Sequence, residues 1–226
     1  MDNKNIKTTV LGLTFILIVA AGIAFEQQLI RMLPLIISLF VMLFQAEANR
    51  YSYIAGSLNS LLYAYVYFIL GLYASAASAL FFSFPVQILT FLSWNKHTYE
   101  KSTVFKKISN KSGFNLGVGF VLLWLAVFVA LKFFGSDYAV LDNLASLLNV
   151  LVSILTMMAY IEYSYLWLIS SFINIILNLQ VALSDPAQIS YVIYAVYCMW
   201  CTVIAFINVQ KLYKIQQQEG CDINFK

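Results

Sequence analysis

Of the 226 residues, 62% are hydrophobic and 10% charged, against roughly 45–50% apolar and about 25% charged in soluble domains, which excludes a soluble fold. The net charge of +3 resides between apolar runs, where basic residues set membrane orientation, and gives no footprint for a nucleic-acid partner. A helix of about 20 apolar residues crosses a bilayer core of about 30 Å, so the chain has room for about eight spans and no soluble domain.

Apolar runs fall at 9–25, 28–46, 51–69, 72–94, 114–134, 144–160, 164–182 and 189–209. They are continuous rather than alternating in segments of about ten residues, which predicts helices rather than a barrel. The first follows Lys4 and Lys7 like a signal peptide but ends in Phe25-Glu26-Gln27-Gln28 without a small-x-small cleavage site, so it reads as a retained span. Pro85, two residues before Gln87 in the fourth run, predicts a kink, a freed backbone carbonyl and a hinge. The one long polar stretch, Asn95 to Gly113, holds Lys96, Lys101, Lys106, Lys107, Lys111 and the only histidine, His97, and reads as a solvated loop. In the last run Tyr191, Tyr194 and Tyr197 form a packing stripe, and Cys198 and Cys201 read as buried thiols, with Cys221 beyond the span and no metal ligands nearby.

Placing the lysine-rich loop in the cytoplasm brings Lys4, Lys7, Arg50, Lys211, Lys214 and Lys226 to the same side, leaving only Arg31 and Lys132 elsewhere. Both termini are then cytoplasmic and Asp137, Asp142 and Asp185 face out. The interior of the membrane carries no charge. Ion-driven carriers usually keep an intramembrane carboxylate, histidine or arginine, so uniport is the simpler reading, with sodium held by carbonyls and hydroxyls as the remaining route to coupling.

Tyr51-Ser52-Tyr53 and Tyr163-Ser164-Tyr165 open the third and seventh spans at an offset of 112 residues. The offset pairs spans 2, 3 and 4 with 6, 7 and 8, an even displacement that leaves the two units parallel. The expected layout is all-α with eight spans. An N-terminal helix (1–27) precedes a first three-helix unit (28–94), a basic loop (95–113), a linker helix with its outer loop (114–143), a second three-helix unit (144–210) and a tail (211–226). Parallel-repeat carriers hold cargo near the midplane between units.

This offset pairs Asn59 with Ser171 and Ala55 with Trp167, and brings Gln87 within a residue of Trp200. A single serine or asparagine between spans is usually packing glue, worth about 0.6 kcal/mol per bond; matched polar positions in both units point instead to a cavity. Ser164, Trp167, Ser171, Asn174 and Asn178 share one helical face. The expected site is Asn59, Gln87, Asn149, Trp167, Ser171, Asn174 and Trp200, with Trp167 stacking on a flat ring while Asn59, Gln87 and Asn174 bond its polar groups. By spacing alone, Trp167 reads equally as an interfacial anchor.

The stretch from Ser52 to Asn59, Leu72-Tyr73-Ala74-Ser75, Gln87 and Trp94, then Asp142, Tyr160-Ile161-Glu162 and Leu166-Trp167 resemble, in order and spacing, the PnuC family over roughly 33–210. The resemblance implies a SWEET-like transporter of a bacterial inner membrane, without enzymatic activity or cofactor. It implies uptake of nicotinamide riboside or a related vitamin by facilitated diffusion, trapping by a separate cytoplasmic kinase, and room for a homo-oligomer. Where the nicotinamide riboside branch carries Trp-x-x-Trp-x-x-x-Asn, this chain reads Ser164-x-x-Trp167-x-x-x-Ser171; the family's asparagine in span 4 is Gln87, and its span 8 counterpart is Trp200. These departures keep deoxynucleosides, thiamine and riboflavin open as cargo. Two other classes compete. A membrane enzyme would need a nucleophile, metal or carboxylate pair, for which only Glu47 and Glu162 stand at comparable positions, and those read as helix caps. A binding subunit of an energised transporter would dock a partner through the lysine-rich loop.

Overall fold

Each of the eight apolar runs is helical in the computed structural model, which describes residues 3–133, 135 and 138–220; Asp137, Cys221, Lys226 and the side chain of Lys4 lie outside the described residues. The helices are α1 (Asn3–Ala24), α2 (Leu29–Ala46), α3 (Ser52–Ile69), α4 (Tyr73–Ser78), α5 (Phe84–Lys96), α6 (Asn110–Phe133), α7 (Ala139–Met157), α8 (Tyr163–Ser184) and α9 (Ile189–Gln218). Helices α4 and α5 are the two ends of one run, joined through a π turn at Ala79–Ser83. Among the described residues, seven of these stretches are long and apolar enough to cross a membrane. The eighth, α3, falls short because it carries Ser52, Ser57, Asn59 and Ser60. All four are buried, so α3 turns its polar residues inward.

Helix α2 packs on α3, and α3 on α4 and α5; α7 packs on α8, and α8 on α9. The two sets meet along two seams, α2 against α9 and the α4–α5 stretch against α7. Helix α1 lies outside against α2 and α9, and α6 outside against α7. Glycine is required at Gly71, whose φ of +72° turns the chain from α3 into α4.

The turns that open α3 and α8 have the same construction. Ala48 and Ala159 both adopt left-handed φ, 52° and 58°, at a cost of order 1 kcal/mol each. Ala48 N–H donates to Gln45 and Asn49 N–H to Phe44, as Ala159 N–H donates to Thr156 and Tyr160 N–H to Leu155. These equivalences run at an offset of 111 residues, one fewer than the tripeptide match predicts. One residue rotates a helical position by about 100°, so the counterpart of Asn59 becomes Ser170 rather than Ser171.

The stretch expected as a solvated loop is folded. Residues 97–109 form a strap whose strands β1 (Thr98–Tyr99) and β2 (Ser102–Thr103) pair antiparallel. Arg50 N–H donates to the Lys101 carbonyl at 3.1 Å, and Ile161 N–H to the Lys106 carbonyl at 2.9 Å, so the strap clasps both turns. The buried Gln216 amide adds a third anchor, accepting from Phe105 N–H at 2.9 Å and donating to the Thr103 carbonyl at 3.0 Å. Helix α9 therefore continues through the first part of the expected tail. At the other end of the bundle α7 begins at Ala139 rather than 144, placing Asp142 in its first turn instead of an outer loop. There the fully buried carboxylate accepts from Ala74 N–H at 3.0 Å, Ser75 N–H at 3.1 Å and the Ser75 hydroxyl, donors that a buried charge needs.

Candidate functional site

A cavity of about 240 Å³ opens where the two helix sets meet, walled by α2, α3, the α4–α5 stretch, α7, α8 and α9. None of its lining residues is acidic, basic or histidine. The uncharged wall follows from the sequence, which confines charge to the ends of the apolar runs.

The broken fourth run supplies one wall. Pro85 has no N–H to give the carbonyl four residues before it, and the chain just ahead widens into the π turn, a feature often found at functional sites. Ser75, Ser78, Ala79, Ser83 and Gln87 all line the cavity along this stretch. The Gln87 Nε2 donates to Ser60 Oγ at 2.9 Å, and Ser60 Oγ donates to the Gly56 carbonyl at 3.0 Å. Asn59 Nδ2 donates to Ser38 Oγ at 2.7 Å and to the Pro34 carbonyl at 3.0 Å. The Asn59 Oδ1 and Gln87 Oε1 are buried and accept no hydrogen bond from the described residues, leaving acceptor capacity beside the cavity.

Across the cavity, Ser170 Oγ donates to Asn149 Oδ1 at 2.7 Å, and Asn174 Nδ2 donates to the Ser170 carbonyl at 2.8 Å. Both asparagines line the cavity. Six aromatic side chains complete it: Tyr53, Tyr63, Tyr67, Tyr163, Trp167 and Tyr194. Tyr63 stacks on Tyr67 at 5.3 Å, and Trp167 leans against Tyr163 at 6.2 Å between ring centroids. Towards the strap, Tyr53 meets Trp94 edge-on at 5.0 Å, Trp94 meets Phe105 at 5.8 Å, and Phe105 meets Tyr163 at 6.2 Å. The indole of Trp94 is held by its Nε1 donating to the Thr156 carbonyl at 2.9 Å.

Five of the seven expected site residues, Asn59, Gln87, Asn149, Trp167 and Asn174, line this one cavity. Ser171 is buried but is not among the lining residues, and neither is Ser170, whose hydroxyl instead holds the lining Asn149 from behind. Trp200 is also absent from the lining; it leans on Tyr197 at 5.9 Å and packs into the core with residues of α1 and α2. Tyr191 and Tyr197 do pack, their hydroxyls donating to the Arg31 and Leu39 carbonyls at 2.8 Å each, whereas Tyr194 of the same stripe lines the cavity. Sequence reasoning passed over Ser38, Ser60, Tyr63 and Tyr67. Two of these are hydroxyls in apolar runs and two are tyrosines one turn apart, a signal open to being read. Glu47 and Glu162 have separate partners. Lys7 Nζ binds Glu47 at 2.7 Å, and Glu162 Oε1 accepts from Ile108 N–H at 3.1 Å.

Residues 28–208 match the family described as nicotinamide mononucleotide transporter. The nicotinamide riboside transporter PnuC of Neisseria mucosa is 27% identical over 179 residues, 76% of this chain and 68% of the relative. The crystal structure of the vitamin B3 transporter PnuC superimposes with a TM-score of 0.78 at 19% identity, covering 92% of this chain and 90% of the other. At that identity the superposition establishes a shared fold.

Proposed function

The chain belongs to the nicotinamide mononucleotide transporter family, and from that premise we propose that it carries nicotinamide riboside across the membrane by facilitated diffusion. The observation that supports this reading best is the wall of the cavity, six aromatic rings and several amides without a charged side chain. A phosphate would be desolvated there with no arginine or lysine to pair with, at heavy cost, so the riboside fits and the mononucleotide does not. The riboside's pyridinium is cationic, and aromatic faces attract such a charge by about 0.5–2 kcal/mol per contact. Trp167 stacks on the ring in this reading, while Asn59, Gln87, Asn149 and Asn174 meet the carboxamide and ribose hydroxyls. Thiamine, also a cationic ring, is the closer rival; riboflavin and deoxynucleosides forgo the cation–aromatic attraction.

The same reading takes all eight helical stretches as spans. Helices α2 to α5 and α7 to α9 are parallel units related by an axis along the membrane normal and joined by α6, and both termini are cytoplasmic. The equivalent turns at an offset of 111 residues and the basic strap at one end of the bundle support it. Net uptake then follows from a separate cytoplasmic kinase that phosphorylates the cargo to a form the cavity rejects.

The test is uptake by the purified protein alone in liposomes, with radiolabelled nicotinamide riboside challenged by unlabelled mononucleotide, thiamine, riboflavin and deoxynucleosides. Saturable uptake that the riboside competes and the mononucleotide does not is the expected result. Failure to transport without a partner protein would instead favour a binding subunit.

A further inference from the structure

The Ser60 hydroxyl has one proton, and it is committed to the Gly56 carbonyl at 3.0 Å, so Ser60 can only accept from the Gln87 amide. That fixes the amide's orientation. Its Nε2 faces Ser60 and its Oε1 faces Gly56, one turn earlier on α3: a Cβ added at Gly56 would collide with Gln87 Oε1 and would lie 3.1 Å from its Cδ. The next nearest atom to such a Cβ is Val41 Cγ1, at 3.2 Å. The amide of Gln87 is thus seated in the notch left by a missing side chain.

Resting on the reading of the cavity as the cargo site, we infer that Gly56 is a positioning residue: its bare Cα seats the Gln87 amide and sets how far that amide reaches towards cargo. One N–H of Nε2 is held by Ser60, which leaves the second to be aimed by this seat. A methyl group at residue 56 would evict the amide into the cavity. The eviction is mechanically easy, since the displaced atoms are the far end of a flexible side chain rather than backbone. Alanine also suits a helix interior better than glycine. The substitution therefore disturbs the aim of the amide without disturbing the fold, which separates a positioning role from a structural one.

The test compares full-length Gly56→Ala, Gln87→Asn, the double variant and Trp167→Ala, each purified and titrated with nicotinamide riboside. For Gly56→Ala we expect an unchanged or raised ligand-free thermal midpoint and a dissociation constant raised at least tenfold. Asparagine is one methylene shorter and clears the added methyl. Gln87→Asn should therefore weaken binding when made alone, but improve it at least threefold when added to Gly56→Ala. Wild-type affinity in Gly56→Ala, additive losses in the double variant, or failure of both proteins that carry Gly56→Ala to fold would overturn the inference. If Trp167→Ala abolishes binding while Gly56→Ala does not, the cargo site stands and the role of Gly56 falls. If Trp167→Ala also binds normally, the cargo site itself is misplaced.

Discussion

Ser170 Oγ and Asn149 Oδ1 are joined across α8 and α7 by a hydrogen bond of 2.7 Å. Asn59 and Ser38 are joined across α3 and α2 at 2.7 Å as well, and each pair is separated by 21 residues in sequence. Hydroxyl and amide have changed places between them. Each bond stitches the first helix of its set to the second and holds one cavity-lining asparagine, so neither asparagine is free to rotate before cargo arrives.

Ser170→Ala removes that stitch and should cost about 1 kcal/mol, read as a several-fold rise in the uptake KM. Ser171→Ala, one position along, should stay within about twofold of wild type, since about 100° of helix separates the two side chains. Equal effects from the two variants would return the register to the one the tripeptides suggest.

Trp167→Ala should abolish saturable uptake in liposomes while the protein still elutes as a single species by size exclusion. Phe at the same position retains a ring and should recover part of the rate. Loss of expression in both variants would make Trp167 a packing residue only.

Asp142→Asn replaces one carboxylate oxygen by an amide NH2 facing the N–H groups of Ala74 and Ser75. Hydrogen bonds to a charged group are worth about 1.5–3 kcal/mol, which corresponds to a fall of roughly 4–12 °C in thermal midpoint. Asp142 does not itself line the cavity but holds Ser75, which does, so the change in cargo affinity of the folded fraction should be small beside the loss of stability.

A cationic cargo crossing an uncharged cavity makes uptake respond to voltage. An inside-negative potential of about 100 mV is worth about 2.3 kcal/mol per charge, or an accumulation of roughly fiftyfold at equilibrium. Valinomycin-clamped vesicles should show that dependence for nicotinamide riboside and none for a neutral competitor. No carboxylate, lysine, arginine or histidine lines the cavity, so the rate should be flat between about pH 6 and 8. A steep pH dependence would point to a coupled proton.

The helical stretches were legible because membrane thickness imposes one length on every apolar run, and Asn59, Gln87 and Trp167 stood out as cavity-lining residues because an amide or indole amid such a run needs a reason. Ser171 and Trp200 stand outside the lining of this cavity; both were reached through a repeat located by three residues, whose register in the turns differs by one. Pro85 announced a break, but the π turn ahead of it depends on how the run packs. The strap was visible only as polar sequence, since its fold rests on partners such as Gln216, 113 residues from Thr103. Gly56 entered only as one letter of the stretch from Ser52 to Asn59, with no role attached. Its part is played by an atom that is absent, and only the position of Gln87 shows that the absence is used.

The strap holds the turn residues Arg50 and Ile161 through main-chain N–H groups donating to the main-chain carbonyls of Lys101 and Lys106. These two links, unlike the Gln216 anchor, are made without side chains. A change of side chain at 101 leaves its bond in place, whereas at 106 it also removes the ammonium that lies 4.5 Å from the Tyr160 ring centroid. Proline at 50, 106 or 161 is the exception, because it deletes a donor itself, Lys106 N–H giving to the Ala159 carbonyl at 3.0 Å. The charge of the strap at residue 101 can therefore change while the mechanical link between the two turns stays the same.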